Sequence, residues 1–291
     1  MWVVIAPVAI ATCAALPGLD EEGQLLQTAL AAQGIRAVAA SWNDSAFPWE
    51  RCPAIIVRST WDYYDDLRRF SAWVASLAGR VLNPGALVAW NAHKGYLSDL
   101  AAVGIPVVHT RYVAPGEPYE LPSGRVVIKP AISAGANGAA AHDDRAAAGE
   151  HIRALHAAGR TVMIQPYLES ADAETAVVFI DGEVSHGMRK GPMLSPGEPP
   201  ESGLWRPEDM SRRLPTRDML RVARAAHDAV VARFGTIPLY ARADLLRGRD
   251  GAPLLLELEL IEPSLWLRPD SAERLAAAIS RRHPSLTRET A

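Results

Sequence analysis

The chain reads as an α/β protein: an open N-terminal α/β lobe followed by two α+β lobes. Three observations carry this. Apolar runs alternate with helical periodicity through about residue 88. Residues 125–165 pattern as strand, small-residue loop, helix and strand. From residue 167 onward, two hairpins flank one amphipathic helix. The expected divisions are 1–88, 89–166 and 167–291.

At 291 residues and 49% hydrophobic composition the chain can fill the cores of two or three lobes. A net charge of -3 gives no reason to expect nucleic acid or an anionic membrane as partner. Cys13 and Cys52 lack CxxC spacing, which fits a reducing cytoplasm rather than a disulfide framework or a zinc site. Residues 2–16 are apolar and small, but no basic segment precedes them and acidic helix-like sequence follows. A buried first strand is therefore expected instead of a signal peptide. No apolar run reaches membrane-spanning length, and there is no internal repeat.

In the first lobe, Val3–Ala6, Ile35–Ala39 and Ala54–Val57 pattern as strands, and Glu21–Gln33 as a helix stopped by Gly34. The third strand runs into Arg58-Ser-Thr-Trp-Asp-Tyr-Tyr64. Open α/β sheets bind ligands at such carboxyl ends. Arg58 is then a candidate carboxylate or phosphate clamp, and Trp61 and Tyr63 candidate pocket walls. The alternative is an aromatic-capped helix start. No Gly-x-Gly-x-x-Gly follows the first strand, which argues against dinucleotide binding.

The second lobe opens at Trp90-Asn-Ala-His-Lys94 and continues as a helix to about Gly104, with Ile105–Thr110 as a following strand. Arg125–Lys129 is a strand ending on lysine. Ala131-Ile-Ser-Ala-Gly-Ala-Asn-Gly138 follows, with no large side chain after Ile132, so backbone N–H groups could close around phosphate oxygens. A plain turn satisfies the same pattern. A helix over 146–158 and a strand over 161–165 complete the lobe. Of the 30 lysines and arginines only Lys94, Lys129 and Lys190 are lysine. A chain that uses arginine for generic positive charge keeps lysine where a compact ammonium is needed, as among phosphate oxygens.

Gln165-Pro-Tyr-Leu reads as a hinge into the third lobe. Ala173–Ile180 and Val184–Lys190 form a hairpin about Asp181-Gly182. Residues 191–204, rich in Pro, Gly, Ser and Glu, read as an irregular loop, Arg217–Phe234 as an amphipathic helix, and the last dozen residues as frayed. The second hairpin carries most of the chemistry. Alternation puts Arg242 and Asp244 on one face of its first strand, and Glu257 and Glu259 on one face of its second. Folding about Arg247–Gly251 brings these faces together, with Asp244 opposite or diagonal to both glutamates. Leu-Glu-Leu-Glu-Leu can instead be a half-exposed strand with its glutamates in water. If the face is covered, its oxygen-only donor set suits Mg2+ or Mn2+. The eight histidines show no metal spacing, and none is assigned to catalysis.

The order of these parts resembles the ATP-grasp superfamily, the fold of D-alanine–D-alanine ligase, glutathione synthetase and ribosomal-protein glutamate ligases. The resemblance spans nearly the whole chain and is best between Lys94 and Pro263. It implies that Lys94 and Lys129 hold ATP phosphates under a loop that includes Ser133, Gly135 and Ala136, with Lys190 a further phosphate ligand. Gln165 and the Tyr167 and Leu168 backbone would meet adenine, and Glu174 the ribose. Asp244, Glu257 and Glu259 would bind two Mg2+ ions, and Arg242 would steady the transferring phosphoryl group. Many members carry Glu-x-Asn where this chain has Glu257-x-Glu259. The Arg58–Tyr63 and Ile261-Glu-Pro-Ser264 pieces are similar to the branch of natural-product ligases that includes the D-cycloserine-forming ligase. The implied activity is ATP-dependent activation of a small-molecule carboxylate for attack by a nitrogen nucleophile, in amide formation or ring closure. A nucleotide-binding module without turnover and a Mg2+-dependent kinase are the alternatives. A homodimer is common in the superfamily.

Overall fold

The computed structural model describes residues 6–169, 173–194, 197–198, 200 and 209–286. The N-terminal lobe holds β1 (Val8–Thr12), α1 (Glu21–Ala32), β2 (Ala37–Ser41), β3 (Ile55–Val57) and α2 (Leu67–Ser76). Its sheet is parallel in the order β2-β1-β3. Residues 3–5 of the strand expected at Val3–Ala6 lie outside the described residues, and the strand observed begins at Val8. Pro7 explains the offset. β1 is central and must donate to the ladder on both sides, which proline cannot do. Asp20 caps α1 by accepting from the Gly23 N–H at 3.2 Å, and Gly34 leaves the helix at φ +76°.

Next come α3 (Gly85–Asn91), α4 (Tyr96–Ala102), β4 (Arg111–Val113), β5 (Val126–Pro130), β6 (Ala140–His142), α5 (Arg145–Ala157) and β7 (Val162–Pro166). The four strands form an antiparallel sheet in the order β4-β7-β5-β6. Its core packs α5 residues Ala148 and Ile152 against Val126, Ile128, Val162 and Ile164. Lys94 immediately precedes α4, as expected, in the turn over residues 92–95 that separates it from α3. One expectation is corrected here. Ile105–Thr110 is not a strand of this sheet. The Leu255 N–H donates to the Pro106 carbonyl at 2.8 Å, and the Val108 N–H donates to the Leu255 carbonyl at 2.9 Å. These bonds dock the segment on the last strand of the third lobe.

That lobe holds β8 (Glu174–Ile180), β9 (Glu183–Lys190), β10 (Met210–Arg212), α6 (Arg217–Phe234), β11 (Tyr240–Arg247), β12 (Pro253–Glu259) and α7 (Pro269–Arg282). The sheet order is β10-β9-β8-β11-β12, antiparallel throughout. One face buries Ala241, Ala243, Leu245, Leu255 and Leu258 against α6 residues Val222, Ala223, Ala226 and Val230. The outer edge of β12 finds its partners in α3 and α4. Asn91 Nδ2 donates to the Leu258 carbonyl at 2.8 Å, and its Oδ1 accepts from the Leu260 N–H at 2.9 Å. The Tyr96 hydroxyl accepts from the Leu258 N–H at 3.0 Å. The edge is thus closed by the Pro106–Val108 backbone together with these side chains instead of by a full strand.

The chain reaches its last dozen residues through α7, a helix not expected from the sequence, which takes in only residues 280–282 of them. Ala272, Leu275, Ala276 and Ile279 of α7 are buried at helical spacing in one core with Leu26 and Leu30 of α1. Arg281 and Arg282 reach Asp181 in the β8–β9 turn, at 2.7 and 2.6 Å. Residues 287–291 lie outside the described residues. No helix among the described residues is long and apolar enough to cross a membrane.

Candidate active site

The β11–β12 register places Asp244 opposite Glu257 and Arg242 opposite Glu259, with a bulge between Asp244 and Leu245. Both faces of β11 are covered, so the acidic face is not a solvated one. Asp244 is 1% exposed, and the Glu257 and Glu259 side chains are 22% and 25% exposed. Arg242 grips Asp244 with two bonds, Nε–Oδ1 and Nη2–Oδ2, each 2.9 Å. It also reaches Glu259 and donates to the Ser264 carbonyl at 3.0 Å. Its guanidinium carbon lies 4.7 Å from the centroid of the Trp266 ring. Such a fork cannot be replaced by lysine.

All three lysines converge on the cavity beside this hairpin, which measures about 620 Å3. Lys94 Nζ meets Glu257 Oε1 at 3.0 Å and donates to the Ser133 carbonyl at 2.6 Å, tying the hairpin to the small-residue loop. Lys190 Nζ meets Asp244 Oδ2 at 2.9 Å and Glu174 Oε2 at 3.3 Å. Lys129, 8% exposed, makes no ion pair among the described residues, and burial pulls its ammonium pKa down. Ser133, Gly135 and Ala136 line the same cavity. Gly135 and Ala136 take φ values of +57° and +58°, a left-handed pair that is costly at the alanine.

Gln165, Tyr167, Leu168 and Glu174 line the cavity at the junction of β7 and β8. Gln165, 2% exposed, donates to Thr110 Oγ1 at 2.8 Å. The Tyr167 N–H donates to the Arg125 carbonyl at 2.9 Å, with the Arg125 guanidinium over its ring. Of the 191–204 loop, Pro192, Met193 and Leu194 line the cavity, whereas residues 195, 196, 199 and 201–204 lie outside the described residues.

Trp61 and Tyr63 also line the cavity, but Arg58 does not. Arg58, 2% exposed, lies over Tyr240 and pairs with Glu22 at 3.2 Å. Glu22 in turn accepts the N–H groups of Leu265 and Trp266, each at 2.9 Å. The guanidinium therefore stands behind the cavity wall and steadies it. The expected helix start after β3 is also present, as a short 3-10 turn at Tyr63–Asp66 leading into α2. Sequence reasoning missed Glu22, Trp266 and the role of Glu262. The Ile261-Glu-Pro-Ser264 motif was the available signal for the last.

The electrostatics divide the carboxylates. Burial raises the Asp244 pKa, but Arg242 and Lys190 outweigh it and hold the group below the usual carboxylate range. Lys94 and Lys129 do the same for Glu257. Burial leaves Glu174 and Glu259 above their ordinary values despite their cationic partners. Burial and the nearby Glu259 push Glu262 up to about 8. Among the described residues no three His, Cys, Asp or Glu side chains converge in a metal-holding arrangement, because these carboxylates face lysine and arginine.

Residues 8–83 match the family model described as D-cycloserine synthetase DcsG, N-terminal domain. The cycloserine biosynthesis protein DcsG of Streptomyces lavendulae is 36% identical over 297 residues, covering 94% of this chain and 98% of that protein. The crystal structure of D-cycloserine synthetase DcsG aligns with a TM-score of 0.85 at 34% identity, over 94% of this chain and 99% of that one. D-Alanine–D-alanine ligase from Bacillus anthracis, complexed with ATP, shares the fold at a TM-score of 0.67 and 13% identity, over 98% and 100% of the two chains. The ATP-grasp ligase PsnB, complexed with minimal precursor, Mg and ADP, shares it at 0.62 and 17%, over 98% of each chain. The chain belongs to the ATP-grasp carboxylate–amine ligases, in the family of D-cycloserine synthetase.

Proposed function

We propose that this ligase activates the carboxylate of a small amino-acid-derived substrate as an acyl phosphate, which a nitrogen of the same molecule then attacks to close a cycloserine-type ring. The observation that carries this reading is 36% identity to a cycloserine biosynthesis protein over nearly the full length of both chains. It is supported by one cavity that gathers Lys94, Lys129, Lys190, Arg242, Asp244, Glu257 and Glu259.

A substrate carboxylate oxygen attacks the γ-phosphorus of ATP and ADP leaves. The nitrogen then attacks the acyl carbon, phosphate departs and the nitrogen loses its proton. Such a path needs positioning and charge neutralisation, not a protein nucleophile. In this reading Lys129 is the cation held in reserve for phosphate, because no carboxylate of the described chain pairs with it. Lys94 and Lys190 leave Glu257 and Asp244 to meet phosphate oxygens, and Arg242 meets the phosphoryl group in transfer. Lys94, through the Ser133 carbonyl, sets the small-residue loop over the phosphates. Closure of that loop excludes water from an acyl phosphate that would otherwise hydrolyse. Gln165, the Tyr167–Leu168 backbone and Glu174 take the nucleoside.

The donor set of Asp244, Glu257 and Glu259 fits Mg2+ in chemistry: oxygen only, largely buried, and gathered on paired positions of one hairpin. Asp244, Glu257 and Glu259 would hold two such ions, which would supply charge neutralisation for phosphoryl transfer. The test is ADP release with ATP, Mg2+ and β-aminoxyalanine, the ring-opened form of cycloserine, with hydroxylamine present to trap acyl phosphate from related amino acids as hydroxamate. ADP and hydroxamate that vanish together in Glu257→Gln support the reading. ATP binding with no ADP release across D- and L-amino acids of this kind contradicts it.

A further inference from the structure

Glu262 has no part in the handling of nucleotide described above, yet it is built into the same cavity. It lies three residues beyond Glu259, is 8% exposed and lines the cavity. Glu174, Asp244, Glu257 and Glu259 each meet a lysine or arginine. Among the described residues the Glu262 carboxyl group makes no ion pair and receives no hydrogen bond from another residue's side chain.

Its backbone is fixed on every side. The Tyr240 hydroxyl donates to the Ile261 carbonyl at 2.9 Å, and Trp61 Nε1 donates to the Glu262 carbonyl at 3.2 Å. Arg242 holds the Ser264 carbonyl, and Glu22 holds the Leu265 and Trp266 N–H groups. The carboxylate is therefore presented to the cavity by a segment that cannot readily turn it away. Trp61 and Tyr63 line the cavity beside it. A pre-positioned, buried carboxyl group with no ion pair among the described residues, next to aromatic rings, is complementary to an ammonium ion. The carboxylate supplies the countercharge, and the rings supply cation–π attraction.

We propose that Glu262 is the counter-ion for the protonated amino group of the carboxylate substrate, so that the enzyme selects acids bearing an ammonium group. This rests on the ligase reading above and adds the residue that sets substrate class. It also gives the Arg58–Glu22 pair a purpose, as the brace behind the segment that carries Glu262.

The test compares ADP release by the full-length protein with β-aminoxyalanine and with 3-aminoxypropionate, which lacks only the α-amino group. The wild type is expected to turn over the first and discriminate against the second. Glu262→Gln is expected to raise KM for β-aminoxyalanine by roughly 10- to 100-fold, the loss of one charge-assisted contact. KM for ATP and Mg2+ should stay unchanged, and the discrimination should collapse. Glu262→Asp should retain part of it. Equal turnover of the two acids by the wild type overturns the proposal and leaves the ligase reading standing, and this comparison needs no variant. A Glu262→Gln effect on KM for ATP or Mg2+, with discrimination intact, also overturns it by assigning Glu262 to the metal. No turnover of any ammonium acid by the wild type overturns the ring-closure reading and the proposal with it.

Discussion

Replacing Arg58 by methionine separates a brace from a substrate clamp. The Arg58 and Glu22 side chains are 2% and 14% exposed and meet through one contact of 3.2 Å. Methionine leaves the Glu22 carboxylate buried and still accepting the N–H groups of Leu265 and Trp266. Removing one partner of a buried pair costs about 3–5 kcal/mol. Among the described residues Arg58 Nε and Nη1 are buried without hydrogen-bond partners, however, so the substitution also removes two orphaned donors. The net loss should therefore lie toward about 2–3 kcal/mol. Burial already raises the Glu22 pKa against the pull of Arg58, and without the guanidinium it rises further. A carboxyl with a raised folded-state pKa contributes stability at low pH that is lost as pH rises through that value. The deficit of Arg58→Met should thus be smaller at pH 5 than at pH 8. Urea unfolding at both pH values, in a double-mutant cycle with Glu22→Gln, measures the coupling. Wild-type stability in Arg58→Met, together with a tenfold higher KM for the carboxylate substrate, would place the guanidinium on the substrate and refute the brace.

Three further outcomes follow from the same geometry. Asp244→Asn leaves Arg242 and Lys190 without their shared carboxylate and should lower kcat for ADP release at least about 100-fold in a coupled assay, while circular dichroism shows the fold retained. Lys129→Met removes a buried cation that has no ion pair among the described residues, so it should weaken ATP binding about tenfold or more by calorimetry without lowering the melting temperature. His142 Nε2 and His151 Nδ1 lie 3.0 Å apart, and His151 Nε2 reaches the Gly138 carbonyl at 3.1 Å. Burial and the neighbouring His142 bring His151 down to about 4. The unfolded chain then binds more protons below about pH 6.5, so stability should fall as pH drops from about 6.5 to about 4. His151→Asn should flatten that slope in thermal melts, and hydrogen exchange at the 131–138 loop should report the loosening.

Much of the hairpin was legible because strand periodicity leaves little choice. Once Arg242 and Asp244 share a face, a short turn forces Glu257 and Glu259 against them. The three lysines were legible for a different reason, since they stand out in a chain that otherwise uses arginine. What hid were contacts whose partners lie far apart in sequence. Arg58 and Glu22 are separated by 36 residues, and their brace on Leu265 and Trp266 by more than two hundred. A guanidinium at a strand's carboxyl end can face the cavity or stand behind its wall, and local pattern does not distinguish these. Helix α7 was obscured by arginines, although its buried positions at Ala272, Leu275, Ala276 and Ile279 follow helical spacing. Strand starts shifted where proline intervened, as at Pro7, or where a neighbouring edge captured the backbone, as at Pro106 and Val108.

The most direct measurement of carboxylate activation is oxygen transfer. A substrate acid labelled with 18O in its carboxylate is turned over with ATP and Mg2+, and the released phosphate is examined by mass spectrometry or 31P NMR. Passage through an acyl phosphate predicts one 18O in each phosphate released, carried from the carboxylate when the nitrogen displaces it. Unlabelled phosphate, with the product formed at full yield, would show that the carboxylate never bonded to phosphorus and would contradict the account.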